Sequence, residues 1–176
     1  MPGRVAAAWG LAGVIALLAM AVLRLGKVAL AGLDYPLGWQ HWSLLVVNTA
    51  FMAYSEGVKG FQRAFSPRLA ARARYLRDNP DLLRGLLAPL FLMCFFDAPR
   101  RRMLATYLLT AGIIVLVVLF RLLPQPWRGV MDFGVVVGLG WGTIATLLIS
   151  IKALTATHYD IDPELGGDAV PARVSP

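Results

Sequence analysis

The stretch MLATYLLTAGIIVLVVLF, residues 103–120, contains no charged side chain. An α-helix rises about 1.5 Å per residue, so this stretch would nearly cross the ~30 Å hydrocarbon core of a bilayer. The whole chain is 58% hydrophobic and 15% charged, whereas soluble domains are about 45–50% apolar and about 25% charged. We therefore predict an all-α integral membrane protein with four transmembrane helices, near residues 5–23, 42–62, 103–121 and 130–151.

The first apolar block also has an interpretation as a signal peptide. Arg4 would be its basic region, and Ala19-Met20-Ala21 would be its cleavage site. The apolar run Val5–Leu23 is longer than a signal-peptide core, which has about 7–15 residues. We interpret it as an uncleaved span. Glycines and a proline within residues 26–38 predict a break before the second span.

The segment 80–96 is apolar but too short to cross a bilayer. Its uncharged run, Gly85–Phe96, has 12 residues, which correspond to about 18 Å of helix. Pro89 lies in the middle of this run and would kink a helix. We predict a short re-entrant or interfacial helical segment within a single membrane domain, residues 1–152, followed by a flexible polar tail, residues 153–176.

The distribution of basic residues predicts the orientation. If segment 80–96 does not cross, 13 of the 17 basic residues lie on one side and 4 on the other. If it crosses, the division is 10 to 7, and the triplet Arg100–Arg102 falls on the less basic side. Because cytoplasmic loops are enriched in Lys and Arg, we predict four spans with both termini cytoplasmic. Arginine outnumbers lysine 14 to 3, a bias typical of GC-rich bacterial genomes, so we expect a bacterial inner (plasma) membrane.

Residues 66–78 are predicted to form a basic amphipathic helix on the cytoplasmic membrane surface. Ser66 would cap it and Pro67 fits its first turn. Its arginines would reach up to anionic headgroups while a narrow apolar stripe enters the interface. The alternatives are a solvated loop or a helix packed on protein. With the later triplet, the predicted lipid-facing basic residues are Arg68, Arg72, Arg74, Arg77, Arg100, Arg101 and Arg102.

A polar stripe follows the second span. Polar side chains in a membrane usually face other helices, where they find partners, so the stripe either joins helices or lines a pocket or a solute path. Glu56 is expected where the span leaves the hydrocarbon, ionised and paired with Lys59 or with an arginine of the re-entrant segment. The stripe comprises Asn48, Ser55, Glu56, Lys59, Gln62 and Arg63.

The last span carries Gly134, Gly138 and Gly142 at a spacing of four residues. Small residues at this spacing let helices approach closely in lipid. They favour either packing within the chain or a homodimer face. Asp132 near the start of this span is expected to cap the first turn or to pair with Arg128, four residues earlier.

The sequence predicts no catalytic site, no cofactor and no metal site. The single cysteine, Cys94, lies in an apolar run and is expected to be an inert thiol. His41 stands beside Trp42 and is expected to be structural at the membrane interface. His158 and the three carboxylates after it lack the spacing and glycine of a calcium loop. Basic residues that flank apolar blocks favour lipid over nucleic acid as the anionic partner.

These features favour a small, non-enzymatic multi-pass membrane protein. We expect an accessory, assembly or scaffolding component whose basic cytoplasmic face engages anionic lipid or an acidic partner, in a homo-oligomer or a larger membrane complex. One alternative is an oligomeric transporter or channel-like protein that uses the polar stripe. The other is an enzyme acting on lipid headgroups, although arginines near headgroups are expected without catalysis.

Overall fold

The computed structural model describes residues 2–166, and every regular element in them is helical. The predicted all-α class is confirmed. The helices are α1 (Gly3–Leu33), α2 (Trp39–Met52), a π-helix (Ala53–Phe65), α3 (Ser66–Asp78), α4 (Leu82–Leu86), α5 (Ala88–Leu92), α6 (Arg100–Arg121) and α7 (Trp127–Thr155).

Three helices, α1, α6 and α7, are long and apolar enough to cross a membrane. The second predicted span, 42–62, is divided between α2 and the π-helix. The break predicted within residues 26–38 lies at residues 34–38, because α1 continues to Leu33. Gly32 does not break the helix; it lets α1 approach the backbone of Gly129 on α7, where a Cβ would lie 2.6 Å from the Gly129 Cα.

The prediction that Ser66 caps a new helix is wrong. Met52, Ala53, Phe65 and Ser66 all have right-handed helical dihedral angles, so one helical path runs from Trp39 to Asp78. The Ser66 N–H donates to the Phe61 carbonyl, five residues back, which is the π-helical hydrogen bond. In an α-helix, the ring of Pro67 would clash with the carbonyl four residues earlier. The wider π-helical turn ahead of Pro67 relieves that clash.

The path from α2 through the π-helix to α3 runs alongside α7 in the same direction. At one end, the rings of His41 and Trp127 lie 4.2 Å apart. Further along, the Ser66 and Thr146 hydroxyls are 2.8 Å apart and buried. At the far end, Arg74 donates to the Ala153 carbonyl. We call this far end, which also contains residue 2 and residues 79–100, the basic end.

Helix α1 runs antiparallel to α7. Gly32 near its C-terminus contacts Gly129 at the start of α7, while Gly3 near its N-terminus contacts the carbonyl of Arg77 at the basic end. The largest hydrophobic cluster lies in the half of the bundle nearer the basic end. Its members come from α1, α3 and α5: Ala6, Leu11, Val14, Leu18, Leu69, Ala73, Leu76, Ala88, Phe91 and Leu92.

The segment predicted to be non-spanning is broken into α4 and α5, which have five residues each. Helix α5 packs on the N-terminal half of α1, where Gly10 and Gly13 leave room for Ala88 and Pro89. By contrast, α6 has no buried residue and contacts the rest of the described chain only slightly. The described chain is thus a packed body from which one apolar helix stands apart.

Candidate functional site

Five of the six polar-stripe residues lie on the π-helix, and Asn48 lies on α2 just before it. Long π-helices are rare, and short π-helical insertions are frequent at functional sites. The same helix contains Gly57, which faces the Trp141 side chain of α7 at 3.1 Å from a Cβ position. The interface between the π-helix and α7 is therefore the candidate location of a polar site.

Asn48 joins the two helices rather than lining a pocket. Its side chain is buried, and its Nδ2 donates to the carbonyls of Val130 at 3.2 Å and Met131 at 3.1 Å. Gly134 is the residue on α7 that leaves space for it. These hydrogen bonds satisfy the amide in an apolar setting and fix the register of α2 on α7.

Glu56 faces Gly138, near the middle of α7. A Cβ at Gly138 would lie 3.2 Å from Glu56 Oε2 and 2.8 Å from the carbonyl oxygen of Met52. Glu56 is partly buried, its Oε2 is fully enclosed, and this oxygen has no hydrogen-bond partner among residues 2–166. The carboxyl therefore lies level with the middle of the α7 helix.

The predicted pairing of Glu56 with Lys59 or an arginine is wrong, since Glu56 makes no salt bridge within the described chain. Lys59 is exposed, and its ammonium lies 5.0 Å from the centroid of the Tyr54 ring. The cause is the helix type. Residues i and i+3 share a face on an α-helix, but a π-helix has more residues per turn, so Lys59 falls well short of a full turn from Glu56.

The other stripe residues do not converge on Glu56. Ser55 Oγ donates to its own helix at the Phe51 carbonyl, 2.7 Å away. Gln62 Oε1 accepts a hydrogen bond of 2.9 Å from the Trp141 indole. Arg63 is exposed. The six residues therefore form separate contacts, and only Glu56 presents an unpartnered polar group to α7.

The three α7 glycines face the neighbouring helical path of the same chain. Gly134 faces Asn48, Gly138 faces Glu56 and Gly142 faces the Phe61 ring. With Gly57 facing Trp141, the π-helix and α7 each insert an aromatic side chain over a glycine of the other. The glycine face is therefore occupied within the chain.

The predicted position of Arg72 on a lipid-facing surface is wrong, because Arg72 is 0% exposed. Its Nε donates to the Phe91 carbonyl at 2.7 Å, and its guanidinium carbon lies 4.0 Å from the Phe91 ring centroid. The four remaining N–H groups donate at 3.1 Å to the carbonyls of Phe96, Asp97, Pro163 and Glu164. All five guanidinium donors are satisfied by backbone. We call this arrangement the Arg72 hub.

Arg74 and Arg77 bind the C-terminal end of α7. Arg74 donates to the carbonyls of Ala153, Ala156 and Thr157 at 2.8–3.0 Å, and Arg77 donates to that of Leu154 at 2.7 Å. The last carbonyls of a helix lack partners within the helix and carry its negative dipole end. Two arginines of α3 thus cap α7, which differs from the lipid-facing role predicted for them.

The remaining predicted basic residues divide into two kinds. Arg68 is partly buried and donates to the Ala64 carbonyl of its own helix at 2.8 Å. Arg100 and Arg101 are exposed, and Arg102 is exposed while it pairs with Glu164, with 3.0 Å between its Nη2 and a carboxylate oxygen. Among the basic residues predicted to face lipid, the fully exposed ones therefore lie at the start of α6.

The predicted tail is bound to the body as far as the structure describes it. Helix α7 continues to Thr155. Beyond it, Tyr159 donates to the Pro67 carbonyl at 3.1 Å, and the Gly166 N–H donates to the Asp97 carbonyl at 3.2 Å. Residues 156–166 therefore contact the body, and residues 167–176 of the predicted tail lie outside the described part of the chain.

Asp132 is buried and lies 3.7 Å from Arg128 Nε, which is the pairing expected as one of two roles. The sequence analysis missed a second pair, Arg84 with Asp97, at 2.7 Å. This pair borders an open depression of about 310 Å³. The two partners are 13 positions apart in the sequence, so no short helical spacing indicated the pair.

The cysteine and the two histidines, which were expected to have no catalytic or metal-binding role, lie in separate parts of the structure. Cys94 is a partly buried free thiol, and burial raises its pKa. His158 is exposed and pairs with Asp160 at 2.9 Å. His41 Nδ1 accepts a hydrogen bond from the Gly38 N–H at 3.1 Å. Within residues 2–166, no three His, Cys, Asp or Glu side chains are grouped to hold a metal.

Comparison with family models, with curated proteins and with solved structures found no match. Function is therefore inferred from this chain alone. Two features are not accounted for by packing within the chain: the exposed helix α6, and the unpartnered Glu56 carboxyl between the π-helix and α7.

Proposed function

We propose that this protein is a non-enzymatic accessory or scaffolding component of a membrane complex, in which α6 packs against another membrane protein. The observation that carries the proposal is that none of the 22 residues of α6 is buried. The other long helices bury one face within the chain, whereas α6 contains no buried residue. Helices associate in lipid through close side-chain packing, and most of the α6 surface is available for it.

The proposal includes four crossings of a bacterial inner membrane: by α1, by α2 with the π-helix, by α6 and by α7. Three of these segments are long apolar helices, and α2 with the π-helix runs alongside α7. Segment 80–96 does not cross, which is supported by its division into two five-residue helices beside the N-terminal half of α1. The basic end faces the cytoplasm, in line with the enrichment of arginine in cytoplasmic loops.

The connections of α6 support its role as a docking element. Its first turns are held to the body, since Thr106 Oγ1 and the Tyr107 hydroxyl donate to the carbonyls of Met93 and Phe95 at 3.3 and 2.8 Å. Beyond them the helix is free of buried contacts. Arg100 and Arg101 precede this anchor and are placed to contact anionic headgroups, each worth about 1 kcal/mol near a charged leaflet.

The test is photo-crosslinking in native membranes. A photoreactive amino acid at Leu109, 65% exposed, should form adducts with protein. The matched control is Leu17 on α1, an apolar position 51% exposed, which should give lipid adducts only. A partner of this chain's own mass would identify the docked protein as a second copy. Lipid adducts alone at Leu109, as at Leu17, would contradict the scaffolding proposal.

A second candidate function, transport through an oligomer, is favoured by Glu56. Ionisable residues inside a membrane are rare and commonly mark proton or solute paths. The chain in liposomes should then show flux driven by ions or pH that Glu56→Gln abolishes. Flux that is unchanged in the variant would remove this candidate.

A further inference from the structure

We propose that Glu56 is a proton-binding site inside the bilayer, which takes up and releases a proton between the π-helix and α7. The reaction is a simple acid–base equilibrium, in which the carboxylate gains one proton to become a carboxylic acid. This inference rests on the proposed crossing of α2 with the π-helix, but not on the proposed partner of α6.

The first support is the position of the carboxyl. Glu56 lies opposite Gly138, near the centre of the apolar helix α7, and the glycine provides the space that its Oε2 occupies. Any larger residue at 138 would meet the carboxyl or the Met52 carbonyl, 2.8 Å from a Cβ position. The chain thus places a carboxyl beside a glycine at mid-depth, where a carboxylate without a partner is strongly disfavoured.

The second support is the absence of a compensating charge within the described residues. The elements packed against the π-helix are α2, α3 and α7. Opposite Glu56, α7 has a glycine, and the titratable side chains of α7 lie more than one helical turn from that glycine. The titratable side chains of α3 either bind other groups or lie farther along the helical path toward the basic end. Besides Glu56, the charged and titratable residues of these four elements are His41, Tyr54, Lys59, Arg63, Arg68, Arg72, Arg74, Tyr75, Arg77, Asp78, Arg128, Asp132 and Lys152.

The third support is that the nearest cation in sequence is held away from the carboxyl. Lys59 lies over the Tyr54 ring because the π-helical turn places it on another side of the helix. An α-helix would put the two side chains within reach of each other. The π-helix therefore keeps Glu56 free of an ion pair, which leaves a proton as the species that neutralises it.

The carboxyl of Glu56 can also be reached by an apolar reagent. Its side chain is only partly buried, although its Oε2 is enclosed. At the proposed depth the exposed part borders lipid, so a reagent dissolved in the bilayer can approach the carboxyl.

The probe is dicyclohexylcarbodiimide, an apolar reagent that adds to protonated carboxylic acids. The acid adds across one C=N bond, its proton goes to nitrogen, and the O-acylisourea rearranges to a stable N-acylurea without a leaving group. The full chain in phosphatidylcholine liposomes should carry one such adduct on Glu56 near neutral pH, located by peptide mass spectrometry. Labelling should fall by about tenfold for each pH unit above the titration point.

Three variants and a spectrum complete the test. Glu56→Gln should lose the adduct, whereas Lys59→Gln and Asp81→Asn should retain it, because Lys59 does not pair with Glu56 and Asp81 is exposed at the basic end. The infrared spectrum of the unaltered protein should contain the band of a protonated carboxyl, and this band should disappear in Glu56→Gln. The infrared measurement keeps the proposal testable if the reagent does not reach the site.

Two results would overturn the proposal. One is a missing adduct together with an unchanged infrared spectrum in Glu56→Gln. The other is labelling of Glu56 that does not vary with pH, since an acid that never releases its proton is only structural. Crosslinks from α6 are measured separately, so failure of the scaffolding proposal leaves this result interpretable.

Discussion

Replacement of Arg72 should destabilise the protein more than replacement of any other basic residue on α3. Arg72→Gln removes the donors of five backbone hydrogen bonds and the contact with the Phe91 ring. One of these bonds is fully buried and the other four are partly buried. A buried acceptor left without a donor costs about 1–3 kcal/mol.

Water and the glutamine amide will replace some of the partly buried bonds, so the costs do not add in full. We expect Arg72→Gln to lose about 3–5 kcal/mol, because the fully buried Phe91 carbonyl and some of the partly buried carbonyls lose a charged donor. For a chain of this size that corresponds to roughly 10 °C in the unfolding temperature. Arg72→Lys should be intermediate, since an ammonium has three donors against the five of a guanidinium.

The assay is thermal unfolding in a mild detergent, with limited proteolysis of residues 156–166 as a second readout. The control is Arg68→Gln, because Arg68 lies one turn earlier and makes a single bond, to its own helix. Equal unfolding temperatures for Arg72→Gln and Arg68→Gln would refute the reasoning, as would a tail that resists protease equally in both variants.

Three further outcomes are expected. Gly142→Leu should destabilise the bundle by several kcal/mol, because its side chain would enter the Phe61 ring; Gly140→Leu, where a Cβ meets nothing within 4 Å, should change the unfolding temperature little. Arg74→Gln should fray the end of α7, seen as faster amide hydrogen exchange in the last turn. Burial raises the pKa of the Cys94 thiol, so maleimide should react slowly near neutral pH, faster as pH rises and fastest after unfolding; equal rates in folded and unfolded protein would contradict this.

The long apolar helices were predictable because length and apolar content alone determine them. The first, third and last blocks each lie within a single long helix of the structure, although α1 extends about ten residues beyond its predicted end. The interruption near Pro89 was also predictable, since a proline inside a short apolar run favours the first turn of a helix over its interior; the break lies at Leu87, and Pro89 is in the first turn of α5. These features depend on residues close together in the sequence.

The Arg72 hub was not predictable from sequence. The arginine-rich pattern of α3 resembles a membrane-surface helix, but the carbonyls that bind Arg72 belong to residues 91, 96–97 and 163–164. Backbone acceptors carry no signature in the side-chain sequence. Asp97 and Glu164, whose carbonyls accept from Arg72, also have positive φ angles, 53° and 49°. Aspartate is enriched in this region, but few aspartates and fewer glutamates adopt it.

The pairing of Glu56 with Lys59 failed for a different reason. Its spacing of three residues brings side chains together only on an α-helix. The π-helix was not foreseen, because Pro67 was interpreted as the start of a new helix and not as the residue whose ring requires a wider turn before it. Helix type, rather than residue chemistry, decided this part of the candidate site.

The placement of the chain in the membrane is tested most directly by labelling single cysteines with a membrane-impermeant maleimide in sealed vesicles of known orientation. In a Cys94→Ala background, cysteines at Asp78 and Arg101 bracket segment 80–96, and both positions are exposed. A third cysteine at Leu122, also exposed, marks the opposite end of α6. The four-crossing account predicts that the first two positions are labelled only from the cytoplasmic side and Leu122 only from the other. Labelling of Asp78 and Arg101 from opposite sides would contradict it.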